Sequence, residues 1–209
     1  IQSLELGHRM QDSVMEALDV SREKAKTLER YNVGNTKSLG RCRDDDFGRQ
    51  CLWARRLAES GVRYIELCHS NWDQHGNHVA EIQANCTAID KPIAALIQDL
   101  KDRDMLKDTL IVWGGEFGRT PLSEGGKKGS GHNNRGFTFW MAGGGIKGGI
   151  KYGRTDDYGY HAVENPVNFH DLHATILHLL GLDHQQLTFQ HGTEQVRLTD
   201  ALNGLDGNV

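Results

Sequence analysis

LIVWGGEFGRTPLSEGGKKGSGHNNRGFTFWMAGGGIKGG, residues 110–149, holds two apolar runs separated by a polar, glycine-rich loop. The first run, from Thr109 to Trp113, predicts a strand, and its apolar character predicts a central one. It leads through Gly114 and Gly115 to a lone carboxylate, Glu116. The loop carries His132. The second run, from Phe137 to Ala142, predicts another strand and ends in three glycines. Side chains at the carboxyl ends of parallel strands face the crevice where α/β proteins bind ligands. An acid and a histidine delivered there, with WDQHGNH at residues 72–78 upstream, point to a metal site.

Outward from this stretch, the pattern alternates strands with helices. Residues 1–30 predict a helix with Leu4, Met10, Val14 and Leu18 on a ragged apolar stripe, and residues 31–46 a polar connector. Phe47 to Ser60 predicts a helix closed by Gly61. Val62 to Leu67 predicts a short strand. Val79 to Arg103 is the clearest helix, with Ile82, Cys86, Ile89, Ile93, Leu96, Ile97 and Leu100 at helical spacing. Pro92 predicts a kink or break within it. Asp171 to Leu180 predicts a helix closed by Gly181. The order fits an α/β fold, a mostly parallel sheet flanked by helices. Residues 1–46 read as a helical segment and connector, and residues 47–209 as the α/β part.

Composition bounds function. The chain has 209 residues and 37% hydrophobic content, low for a compact domain, and its 25 glycines cluster in shaped loops. A net charge of −4 gives no basic footprint for nucleic acid. The run RCRDDDFGR reads as a solvated loop. No apolar run is long enough to span a membrane, and no signal peptide is visible. The chain begins with Ile, so it reads as a processed or truncated piece of something longer. Cys42, Cys51, Cys68 and Cys86 lack CxxC spacing. Cys68 and Cys86 read as small apolar residues rather than disulfide partners.

Asp73 and His75 lie two apart, so in an extended loop both can face one point. A carboxylate and an imidazole suit zinc or a similar divalent ion. The plain alternative is a polar loop capping the next helix through Asn77 or His78. Glu116 could equally be a solvated acid paired with Arg119, and His132 an exposed loop histidine. His170 and His173, one turn apart, can chelate but flank an apolar helix, where packing or capping is the simpler role. His161 and His178 are weaker candidates. Ser123, Ser130 and Thr120 sit in no nucleophile elbow, and GGGIKGG matches neither a P-loop nor a dinucleotide fingerprint.

EFGRTP, the GH-containing loop, FTFWMAGGGIKGG, GYHAVENPV and DLHATILHLLGLDH together closely resemble the DUF1501 family. The resemblance runs from about Phe47 to the end and more loosely over residues 1–46. These are large, mostly uncharacterised bacterial proteins grouped with the alkaline phosphatase and sulfatase superfamily. The resemblance implies an alkaline-phosphatase-like fold, incomplete at its N-terminus. It also implies that Asp73, His75 and His132 hold one divalent metal, zinc first, with manganese, calcium or magnesium as alternatives. Glu116 would help hold a second ion. Phe117 stands where relatives carry a ligating histidine, and Gly131 where many carry an aspartate. The superfamily's nucleophile and a further metal-binding Asp lie in an N-terminal half not found here. The chain is therefore expected to be the C-terminal part of a parent enzyme, inactive alone, with an uncovered strand edge prone to aggregation.

The implied reaction is metal-assisted hydrolysis of phosphate or sulfate esters, with two ions about 4 Å apart clamping the attacking and leaving oxygens. Arg119 would steady an anionic substrate oxygen, and Lys127, Lys128 and Arg135 would add positive field. The substrate would be an anionic small-molecule or polysaccharide ester. The parent is expected to be periplasmic or otherwise exported. The alternatives are a catalytically inactive binding or scaffold protein on the same fold and, more remotely, a metal-dependent isomerase or mutase.

Overall fold

In a computed structural model, residues 14–34, 44–123, 126 and 128–199 are described. Leu4, Met10, Cys42 and Lys127, named above, lie outside them. The chain divides into two compact units. The first comprises residues 1–104 and 122–131, the second residues 105–121 and 132–209.

The first unit is built on helices. Residues 14–18 (α1) and Ala25–Arg30 (α2) are separate helices. The long helix expected over residues 1–30 is broken between them. The break follows Asp19, whose Oδ1 accepts the Ser21 N–H at 2.9 Å. Such a side-chain turn offers the backbone an alternative to the helix. Asp44–Glu59 (α3) and His78–Asp102 (α4) pack together and supply the core. Gly61, just past α3, adopts φ +89°, the left-handed closing position its sequence predicts. Helix α4 runs unbroken through Pro92, which is buried.

The buried stripe of α4 is Ala84, Asn85, Ala88, Ile89, Pro92, Ala95, Leu96, Asp99 and Leu100. Cys86 falls off it. Cys86 and Cys68 are exposed free thiols, contrary to their reading as small core residues, and Cys51 is the buried one. Burial pushes the Cys51 thiol up to about 12. Tyr31, in the expected polar connector, is fully buried.

Buried charge joins these elements. The Arg55 side chain is only 4% exposed, yet it pairs at 2.6 Å with both Glu23 and Glu59 and lies 3.7 Å from Asp99. Arg30 reaches Asp99 at 2.6 Å, and the Tyr31 hydroxyl donates to the same carboxylate at 3.0 Å. Arg56 donates to the Ala17 and Glu16 carbonyls and to Glu23, and Trp53 to the Leu18 carbonyl. The segment before α3 is thus tied to α3 and α4 mainly by charged and polar bonds. A buried guanidinium is tolerable only with such partners.

Among the described residues the expected parallel sheet is not found, and the strands form four two-stranded pairs. Ile111–Trp113 (β1) pairs antiparallel with Trp140–Ala142 (β4), stacking Trp113 on Trp140 at 6.0 Å. Gly118–Ser123 (β2) pairs with Ser130–Asn133 (β3). Arg154–Thr155 (β5) pairs antiparallel with Ala162–Glu164 (β6), and Thr188–His191 (β7) with Glu194–Arg197 (β8). A parallel pair needs a crossover, usually a helix. Between Trp113 and Trp140 the chain instead makes the β2–β3 pair and returns antiparallel. Val112, expected in a central strand, is 39% exposed.

No strand forms over residues 62–67. From Ile65 to Ser70, half-buried and exposed residues alternate one for one, the period of a strand. The pattern is there, but no described strand pairs with it.

In the second unit, Phe169–Leu179 (α5) starts in a reciprocal cap between Asn168 and Asp171 and ends before Gly181, at φ +75°. Phe169 meets Phe137 and Phe139 with ring centroids 5.8 and 5.9 Å away. Asn133 is buried and donates to the Tyr160 carbonyl at 2.9 Å. Asp156 accepts from the Tyr160 and His161 backbone N–H groups, which hold its carboxyl below the ordinary value. No helix among the described residues is long and apolar enough to cross a membrane.

Candidate metal centre

The site starts from a tight turn. The His75 N–H donates to the Asp73 carbonyl at 3.0 Å, closing a three-residue turn. This brings the two side chains together, with His75 Nε2 2.9 Å from Asp73 Oδ1. Asn71 and Asn77, both in the left-handed region at φ 73° and 50°, bend the chain on either side. Asparagine tolerates that conformation better than most residues. Asn77 occupies the N-cap position of α4 but makes no side-chain cap. The plain capping role of this loop is therefore not the one its side chains perform.

The loop is anchored from below. Gln74, 1% exposed, and Asn85 of α4 both donate side-chain N–H groups to the Asn71 carbonyl. On its other side the Ser130 N–H donates to the Gln74 carbonyl, and the His78 N–H to the Lys128 carbonyl, each at 3.0 Å. Gly129 lies between these bonds, where a Cβ would collide with the His75 backbone. Only glycine allows this approach. Strand β3 runs on from Ser130, and His132 follows two residues later. Asp73 and His75 thus place a carboxylate oxygen and an imidazole nitrogen side by side in the first unit, while His132 belongs to the second.

Of the expected ligands, Asp73 and His75 are brought together. Glu116, expected at a second ion, has its side chain 61% exposed and lies 3.5 Å from Arg119. Phe117 packs its ring against His132, centroids 4.4 Å apart, and the Arg119 guanidinium lies 5.5 Å from the centre of the Phe117 ring. His170 and His173 are exposed on the first turn of α5. Lys128 and Arg135 are also exposed.

His69 is half-buried, and burial holds its imidazole below the ordinary value. Its Nδ1 accepts from Trp72 Nε1 at 3.0 Å, so the neutral ring carries its proton on Nε2. The Phe47 ring edge meets it at 5.2 Å. This ring supports the start of the ligand loop. The supporting residues Asn71, Gln74, Asn85 and Gly129 carry no chemistry that the residue pattern would flag. Only the GSG spacing before His132 hints at a close approach.

A carboxylate and an imidazole are donors that divalent zinc accepts.

A family profile described as "Protein of unknown function (DUF1501)" matches residues 1–207, and the chain belongs to that family. No curated protein and no solved structure matches it.

Proposed function

We propose, from membership of DUF1501, that this chain binds a divalent metal and serves in metal-dependent hydrolysis of phosphate or sulfate esters. The observation that carries the reading is the pairing of Asp73 with His75 on one tight turn, to which the family resemblance would add His132. A cation held there would supply Lewis-acid polarisation of an ester oxygen. Asp73 and His75, on a turn pinned at both ends, would hold it in a fixed geometry. Asp73 is 62% exposed, which leaves the position open to a solvent-borne substrate. Arg119 would offer a planar donor pair to an anionic oxygen. The reading extends to an alkaline-phosphatase-like relationship, supported by the strand-like alternation of burial at residues 65–70. It also extends to an exported parent acting on small-molecule or polysaccharide esters, an expectation carried by the family resemblance.

A second reading, a binding or scaffold protein without catalysis, is favoured by Glu116 and Phe117. Glu116 pairs with Arg119, and Phe117 offers no ligand atom, so the second ion lacks its holders. Metal content and zinc titration of the purified chain, beside Asp73→Ala and His132→Ala, test the first reading. One ion per folded chain, lost in both variants, is expected, and would justify assaying phosphate and sulfate esters. A folded chain that takes up no zinc or manganese would sink it and leave the scaffold.

A further inference from the structure

Resting on the metal reading above, we propose that Phe117 is a positioning residue for His132, fixing the imidazole before any ion arrives. His132 is exposed, and a packed neighbour restricts which staggered orientations an exposed imidazole adopts. Phe117 is that neighbour, with ring planes 39° apart and centroids at 4.4 Å.

Both rings stand on backbone that has little freedom to retreat. A Cβ at Gly118, next to Phe117, would come within 2.5 Å of the Gly136 carbonyl and 3.0 Å of Phe137 Cβ, so the chain there is packed at backbone contact. Asn133, next to His132, is 3% exposed and donates its amide to the Gly136 and Tyr160 carbonyls. Arg119 lies over the same Phe117 ring, and its side chain is only 18% exposed. The Phe117 ring thus has both the His132 imidazole and the Arg119 guanidinium close to it.

Such packing restricts the ring orientations open to His132 and covers part of the imidazole from water. Groups held in their bound arrangement lose less entropy on binding, and support around a ligand sets its affinity. Phe117 therefore has a role that its lack of a donor atom conceals.

The test uses the whole chain with zinc as the probe. Phe117→Leu, Phe117→Met and Phe117→Tyr are compared by zinc titration and by the imidazole nitrogen shifts of His132 in metal-free protein. The leucine and methionine variants are expected to bind zinc about tenfold or more weakly, the range seen when a support around a metal ligand is lost. Their His132 shifts should move away from the wild-type values as the ring gains orientations. The tyrosine variant should retain wild-type behaviour on both readouts, which a mere loss of folding would not produce. A folded non-aromatic variant with wild-type affinity and unchanged His132 shifts overturns the proposal. If the wild type takes up no zinc, the metal reading falls by itself. The His132 shifts then decide alone: unchanged in the folded variants, they overturn the positioning role, and moved, they uphold it.

Discussion

The two units are held together by different physics. The first has a continuous apolar core, from Tyr31 and Phe47 through Leu52 to Ile89, Leu96 and Leu100, with a buried guanidinium beside it. In the second, Leu172 alone among the described residues is a buried apolar side chain. The second unit relies on a helix cap, an aromatic trio and two polar staples, Asn133 and Asp156. Apolar burial contributes roughly 1.5–3 kcal/mol per large side chain, whereas a net hydrogen bond contributes about 1. The first unit should therefore open far less often. Slow amide exchange is expected in α3 and α4 and fast exchange in β5 to β8.

The strongest way to break this contrast is Arg55→Ala, which removes the guanidinium shared by Glu23 and Glu59 and leaves them Arg56 and Arg103. It should cost about 3 kcal/mol in urea unfolding, the low end of the loss when one partner of a buried pair is removed. A loss below about 1 kcal/mol would mean that water reaches this cluster. Next comes Leu52→Ala, expected to cost about 2–5 kcal/mol, against under about 2 for Leu172→Ala, whose open surroundings collapse more easily. Equal losses would erase the distinction between the units. Asn168→Ala, which removes the α5 cap, should cost about 1 kcal/mol and leave exchange in α4 unchanged.

Acid offers a subtler probe. Burial alone would raise the Glu23 carboxyl, but hydrogen bonds from Arg56 and Arg55 hold it below its ordinary 4.5. A depressed folded value stabilises the fold above the unfolded pKa. That stability fades as pH falls through the folded value. Unfolding of the first unit should therefore become easier below about pH 4, and Glu23→Gln should flatten that dependence. Thiol labelling gives the smallest and simplest readout. Cys68 and Cys86 should react at once, whereas Cys51 should wait for the first unit to open.

Helices were legible in the sequence because their evidence is local. Periodicity placed α4 within a residue of its observed start and end, and Gly181 marked the close of α5, which starts at Phe169, two residues before the expected Asp171. The apolar runs Thr109 to Trp113 and Phe137 to Ala142 hold the strands Ile111–Trp113 and Trp140–Ala142, but their antiparallel pairing was not legible. A strand requires a partner that its own residues do not name. Charge misled in the other direction. Arg55, Glu59 and Asp99 look like ordinary solvated helix charges until tertiary packing closes over them. For the site, the two-residue spacing of Asp73 and His75 was readable. Glu116 was ambiguous because Arg119, three residues on, was always an available partner.

The Asn85–Asn71 bond changes the polymer problem that the ligand turn faces. Tied to α4 at Asn71 and resuming the helix at His78, the turn is a short closed ring rather than an open strand of chain. Loop entropy grows with length, by about 0.6 kcal/mol for each doubling. Asn85→Ala removes one of the two side-chain donors to the Asn71 carbonyl, so Asp73 and His75 would sample more volume and meet less often. A residue two turns into α4 thereby sets the local concentration of one candidate ligand around the other.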